Sequence, residues 1–117
     1  MRPIEIKNKI KKIKQEILRI DEMRPGSLSK QYNVCGVEKC RCKDPENPQK
    51  HGPYFKLSSV HQRKGSTKFI REIFVKKIKK ETIQYKKLKE LMDQWIALSI
   101  KRSDMEMQMK IEEKDQD

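Results

Sequence analysis

The sequence predicts an α+β fold in which two long helices, an antiparallel coiled-coil-like pair, flank a Cys/His knuckle and a β-hairpin. Three observations predict it. Isoleucines and other apolar residues recur at helical spacing towards both ends of the chain; three cysteines are followed closely by His51; and two runs of β-branched and aromatic residues stand either side of a polar, Gly-containing stretch.

The first helix is expected over residues 3–24. Pro3 suits an opening turn, and Ile6, Ile10, Ile13, Ile17 and Ile20 follow at spacings of 4, 3, 4 and 3, one seam of a coiled-coil-like helix. Lys7, Lys9, Lys11, Lys12, Lys14 and Arg19 fall on the other faces, so the helix is also a basic rod. Such a helix can lie on an anionic membrane, but a seam this narrow fits a helix partner better. Arg24-Pro25-Gly26 is the expected stop. Residues 27–34 read as a connector whose Leu28, Tyr32 and Val34 pack under the knuckle.

The knuckle, residues 35–53, carries Cys35, Cys40, Cys42 and His51 in the spacing C-x4-C-x-C-x8-H. Three thiolates and an imidazole complete a tetrahedral set for Zn²⁺, and a set with no open position holds structure instead of activating water. Pro, Asp and Asn residues between Cys42 and His51 let the chain fold back, and Gly36 permits a turn before the closely spaced C-x-C pair. Either His51 or His61 can be the fourth ligand. The competing reading is three unrelated thiols near a surface histidine. A disulfide would leave one cysteine over.

Gly26-Ser27-Leu28, Tyr32, Cys35-Gly36, Cys40, Cys42, His51-Gly52-Pro53-Tyr54 and Leu57-Ser58 resemble a family of small uncharacterised bacterial and archaeal proteins, with a CGxxxCxC…HGPY motif, often encoded beside transposable elements. The resemblance covers roughly residues 24–98. It departs at Val37-Glu38-Lys39, where a Lys-Pro-Gly-like turn is expected, and at Val75-Lys76-Lys77, which lacks a proline. It implies a metal-binding accessory protein of a mobile element and no defined activity.

A hairpin is expected over 54–75, with strands Tyr54–Val60 and Thr67–Val75 around the loop His61–Ser66. The second helix is expected over 76–103. Ile78, Tyr85, Leu88, Met92 and Trp95 form its stripe, broadened by Leu91 and Leu98, and it pairs with the first helix and overhangs it. Ile96, Ile100 and the methionines at 105, 107 and 109 make residues 76–111 a candidate surface for a homodimer or another protein partner. Residues 1–103 are read as one zinc-stapled domain and 104–117 as an acidic tail, frayed or disordered.

The chain has 117 residues, 34% of them hydrophobic, so its core is small and a metal staple would help it. No apolar run is long enough for a membrane span, and reduced-cysteine usage without a secretory signal makes the cytoplasm the expected compartment. Net charge is +12, yet residues 103–117 carry two basic against six acidic residues, which leaves +16 on the body. A polycation of this kind concentrates phosphate polyanions around it. Arg63, Lys64, Lys68 and Arg71 on the hairpin, with Lys79, Lys80, Lys86 and Lys87 on the second helix, are the candidate nucleic-acid-binding residues. No motif separates DNA from RNA, and no catalytic constellation is present, so an enzyme is not expected. The expected function is a small zinc-containing nucleic-acid-binding protein, accessory to a mobile element; the alternative is an adaptor that docks another protein through its helices.

Overall fold

Helical periodicity at the N-terminus produces α1, Pro3–Leu18, in a computed structural model that describes residues 2–33, 41–47, 49 and 51–115, the side chains of residues 33, 42, 51, 114 and 115 excepted. Pro3 occupies the first turn, and the Arg2 guanidinium meets Glu5 at 2.9 Å. Ile6, Ile10 and Ile13 are buried, Ile6 completely, while Ile17 and Ile20 are only half-buried. The helix stops six residues before the expected Gly26-containing breaker, because Arg19 and Ile20 donate to Glu16 and Ile17 in a tightened last turn. Arg24 belongs to the connector, where its amide donates to the Glu81 carbonyl at 3.1 Å.

The residues read as a connector form β1, Ser27–Asn33, the first of three antiparallel strands in the order β1, β2 (His51–His61), β3 (Lys64–Ile70). Leu28, Leu57 and Lys68 stand side by side across the three strands, and Phe55 stands opposite both Lys30 and Ile70. Alternation therefore gives one face Leu28, Phe55, Leu57 and Ile70. Against that face packs Ile78, and the cluster Leu57, Ile70 and Ile78 is lined by Leu28, Phe55 and Val75. Gly26 lies directly over it. At φ +138° it leaves no room for a side chain, since a Cβ would stand 2.8 Å from the Leu57 Cδ1.

The hairpin is tighter than expected. His61 pairs directly with Lys64, and the turn is Gln62-Arg63, with φ of 51° and 65°. Two left-handed residues make a turn whose twist matches that of the strands. Gly65 lies within β3 and faces open space. The strand expected to reach Val75 ends at Ile70; residues Glu72–Phe74 form one 3₁₀ turn that leads into the helix.

That helix, α2, runs Val75–Asp115, 41 residues or about 60 Å, well beyond the expected end at 103. Two compact units divide the chain, residues 22–85 and residues 1–21 with 86–117. In the second unit Ile6, Ile10, Ile13 and Leu91 are buried, and the Lys14 ammonium lies 5.0 Å from the centre of the Trp95 ring. The two helices are nevertheless not arranged as a coiled-coil-like pair: the extensive contacts between elements are those of the strands. The reason lies in the stripe itself. Ile78, its first member, packs into the sheet core, and Met92 is exposed.

Candidate nucleic-acid interface and metal loop

The basic hairpin residues are presented by the turn and the edge strand. β1 is matched to β2 only as far as Ser58, so Ser59–His61 and Lys64–Ser66 extend past it as a two-stranded ribbon. This ribbon projects about 10 Å, at roughly 3.3 Å per residue. Its tip carries Arg63 in the turn and Lys64 beside it. Arg63, Lys64, Lys68 and Arg71 are all exposed, residues 63–71 contain no acid, and among the described residues no ion pair engages any of the four. Their charge is therefore available to a polyanion.

Lys79, Lys80, Lys86 and Lys87 are also exposed on α2, the first two in the unit of residues 22–85 and the others in the second unit. Lys77 differs from them. Its ammonium bonds the Glu81 carboxylate at 2.6 Å, and that hydrogen bond raises its pKa.

Cys35 and Cys40 lie outside the described residues, as do the side chains of Cys42 and His51. Among the described residues no group of His, Cys, Asp and Glu is placed to hold a metal. The described backbone on either side is informative. Asn33 and His51 are ladder partners, so the chain leaves the sheet and returns to it at one point. Farther in, residues Arg41–Lys43 make a 3₁₀ turn, and the Gln49 amide donates to the Arg41 carbonyl at 2.8 Å. Between Gln31 and Asn33 the ladder shifts register: two steps along β1 oppose three along β2. The extra residue falls at Gly52-Pro53, where proline has no N–H for a ladder bond. Gly52, at φ +139°, sits so near the Gln31 carbonyl that a Cβ would come within 2.8 Å of it. His61 stands at the opposite end of β2.

The model of a domain of unknown function, DUF6788, matches residues 4–80. The chain belongs to that family. The DUF6788 match takes in α1, the Cys/His loop, the sheet and the first turns of α2, and it agrees with the resemblance to an uncharacterised family. No curated protein and no solved structure matches the chain. Among its described residues no helix is long and apolar enough to cross a membrane.

Sequence reasoning missed β1 and the third-strand support it gives the hairpin. The alternation of Leu28 and Tyr32 with polar residues is the available signal, but Lys30 and Asn33 are poor strand formers and only two of the seven residues are apolar or aromatic.

Proposed function

We propose that this chain is a small basic protein that binds nucleic acid, with a Cys/His loop held by structural zinc. The observation that carries the nucleic-acid reading is the hairpin Arg63–Arg71: four exposed cations, no acid among them, and a protruding ribbon. A major groove is about 12 Å wide and admits a two-stranded ribbon. The lysines of α2 suit phosphate neutralisation instead, because they are spread along a helix and carry no base-reading geometry.

What supports zinc is the neck of the loop. Cys40 and Cys42 flank Arg41, whose carbonyl is tied to Gln49, two residues before His51. Cys35 follows Asn33 by two residues, a reach of at most about 7 Å from the partner of His51. The described backbone thus joins Arg41, Gln49 and His51 to the end of the sheet at Asn33, and Cys35, Cys40 and Cys42 are close to these residues in sequence. Their chemistry, three thiolates and an imidazole, fits Zn²⁺ in a closed site with no water to activate.

The test is fluorescence anisotropy of labelled random-sequence oligonucleotides, duplex and single-stranded, titrated with the full chain over a range of salt. Binding near physiological salt is expected, with the logarithm of affinity falling linearly with the logarithm of salt concentration. Replacing Lys79, Lys80, Lys86 and Lys87 together should weaken every sequence and flatten that slope by about one per lost phosphate contact. An absence of binding to either form overturns the reading.

A second reading is favoured by one observation on α2. Met92, Ile96, Ile100, Met107 and Ile111 are all exposed, and their spacing keeps them within an arc of about 100°. Such a stripe suits the helix of a second copy or of an adaptor's client. Sedimentation equilibrium checks it: a dimer that Ile100→Glu dissociates would support this use of α2.

A further inference from the structure

We infer that the open face of the sheet is a stacking platform for single-stranded nucleic acid, with Tyr54 and Phe69 as the stacking rings and Lys56 and Arg71 as the phosphate contacts. The inference rests on the nucleic-acid reading and names its substrate class. Alternation puts Ser27, Ser29 and Gln31 of β1, Tyr54, Lys56, Ser58 and Val60 of β2, and Gly65, Thr67 and Phe69 of β3 on the face away from the Leu57 core. Every one of these residues except Lys56 is exposed, and none is acidic. Among the described residues, those on this side of the sheet are open to solvent, Lys56 in part.

Large aromatic groups on such a face need a reason. Phe69 is 68% exposed and Tyr54 41%. A sheet face open to water ordinarily carries polar side chains, as the serines and Thr67 here do. Lys56 and Phe69 are direct ladder partners, and Tyr54 is two residues from Lys56, so the rings are diagonal neighbours about 7–8 Å apart at the backbone. Tyr54, Phe69 and Arg71 also line one hollow of about 450 Å³ where β3 ends, together with Phe55 and Ile70 from the core side and Glu72. Successive bases have π-faces that stack on rings so placed, and the cations beside them meet the backbone. Charge complementarity selects the occupant: the strand positions of this face carry no acid, Glu72 is the one carboxylate lining the hollow, and the chain has a net charge of +12, so a polyanion is drawn to it before an uncharged protein surface. A duplex cannot stack its paired bases on these rings, so the ligand of this face is a single strand, whereas the ribbon tip is the part that suits a duplex groove.

The experiment measures binding of the full chain to a labelled 12-nucleotide single strand, as DNA and as RNA of the same sequence, and to the matching duplex. Phe69→Ala and Tyr54→Ala are each expected to weaken single-strand binding about tenfold, within the range known for base stacking on one ring, while leaving the salt slope and duplex affinity unchanged. Phe69→Leu keeps an apolar group and should lose the same amount; Phe69→Trp should retain binding. Arg71→Gln should lower the slope by about one. Thermal melts are expected to show the exposed-face variants folded, and Phe69→Leu keeps the test valid if the alanine variant melts early. If the wild-type chain binds single strands but Phe69→Leu binds them equally well, the platform is overturned and the nucleic-acid reading stands. If the wild-type chain binds neither form, both fall. Equal loss on DNA and RNA assigns recognition to the bases; loss on RNA alone adds the 2′-hydroxyl.

Discussion

Asn33 and His51 are partners in the β1–β2 ladder, so the segment carrying three cysteines starts and ends at one point of the sheet. That point is the far end of β2 from His61. The strand is eleven residues long, so its ends lie about 30 Å apart. His51 therefore stands at the tether of the loop, and His61 at the far end of the strand from it.

From this follows the metal prediction. Elemental analysis of protein purified without chelator should give one zinc per chain. His51→Ala and Cys42→Ser should each abolish stoichiometric zinc and lower the melting temperature, because binding free energy of a structural metal is folding free energy. His61→Ala should leave both unchanged. A zinc content near zero in the wild-type chain ends the assignment.

The glycines give a second, purely structural prediction. Gly26→Ala forces a Cβ against Leu57 and the Ser58 carbonyl at a positive φ, and should destabilise the unit of residues 22–85 by about 2 kcal/mol. Gly65→Ala meets open space in a strand and should be neutral or stabilise by up to about 1 kcal/mol. Thermal melts should fall for Gly26→Ala and hold level or rise for Gly65→Ala.

Arg63 joins a stability cost to a binding role. It holds a left-handed conformation at φ 65°, which disfavours a side chain by about 1–2 kcal/mol. Arg63→Gly should raise the melting temperature while reducing the salt slope of nucleic-acid binding. A rise in stability with no change in binding would remove Arg63 from the interface and leave it a turn residue only.

In α1, Ile13→Asp should be severely destabilising, since Ile13 is buried and an aspartate there would have to be desolvated or protonated. Leu18→Asp, at a position 85% exposed, should leave the circular dichroism melt within about 0.5 kcal/mol of the wild type. Equal effects would mean that the seam is not the packed side of the helix.

Much of the fold was legible where one periodicity dominates. The isoleucine seam announced α1 because every third or fourth residue is apolar and most of the rest are polar. The hairpin was legible from its β-branched and aromatic runs, but its turn was not: Gln62-Arg63 lacks the Asn or Gly usual at left-handed positions, and nearby Gly65 drew the expected loop outward. β1 owes its conformation to pairing with β2, which a window of seven mostly polar residues does not reveal. The end of α2 was misjudged for the opposite reason. Met, Glu, Gln and Lys are strong helix formers, and they carry the helix through an acidic segment read as a frayed tail. Of the candidate sites, the basic residues were visible in the sequence, whereas the face shared by Tyr54 and Phe69 emerges only from the register.

Odd and even positions along β3 have different neighbours: Phe69 looks outward with Thr67, and Lys68 shares the side of Leu57 and Ile70. A strand has no other means of sorting its residues. Adding or deleting a single residue in the turn Gln62-Arg63 would shift parity from that point onward, so that the strand would either bury Phe69 and turn Lys68 and Ile70 to water, or break its pairing with β2. The length of a two-residue turn, rather than the composition of the strand, decides whether this surface offers rings or ammonium groups to whatever approaches it.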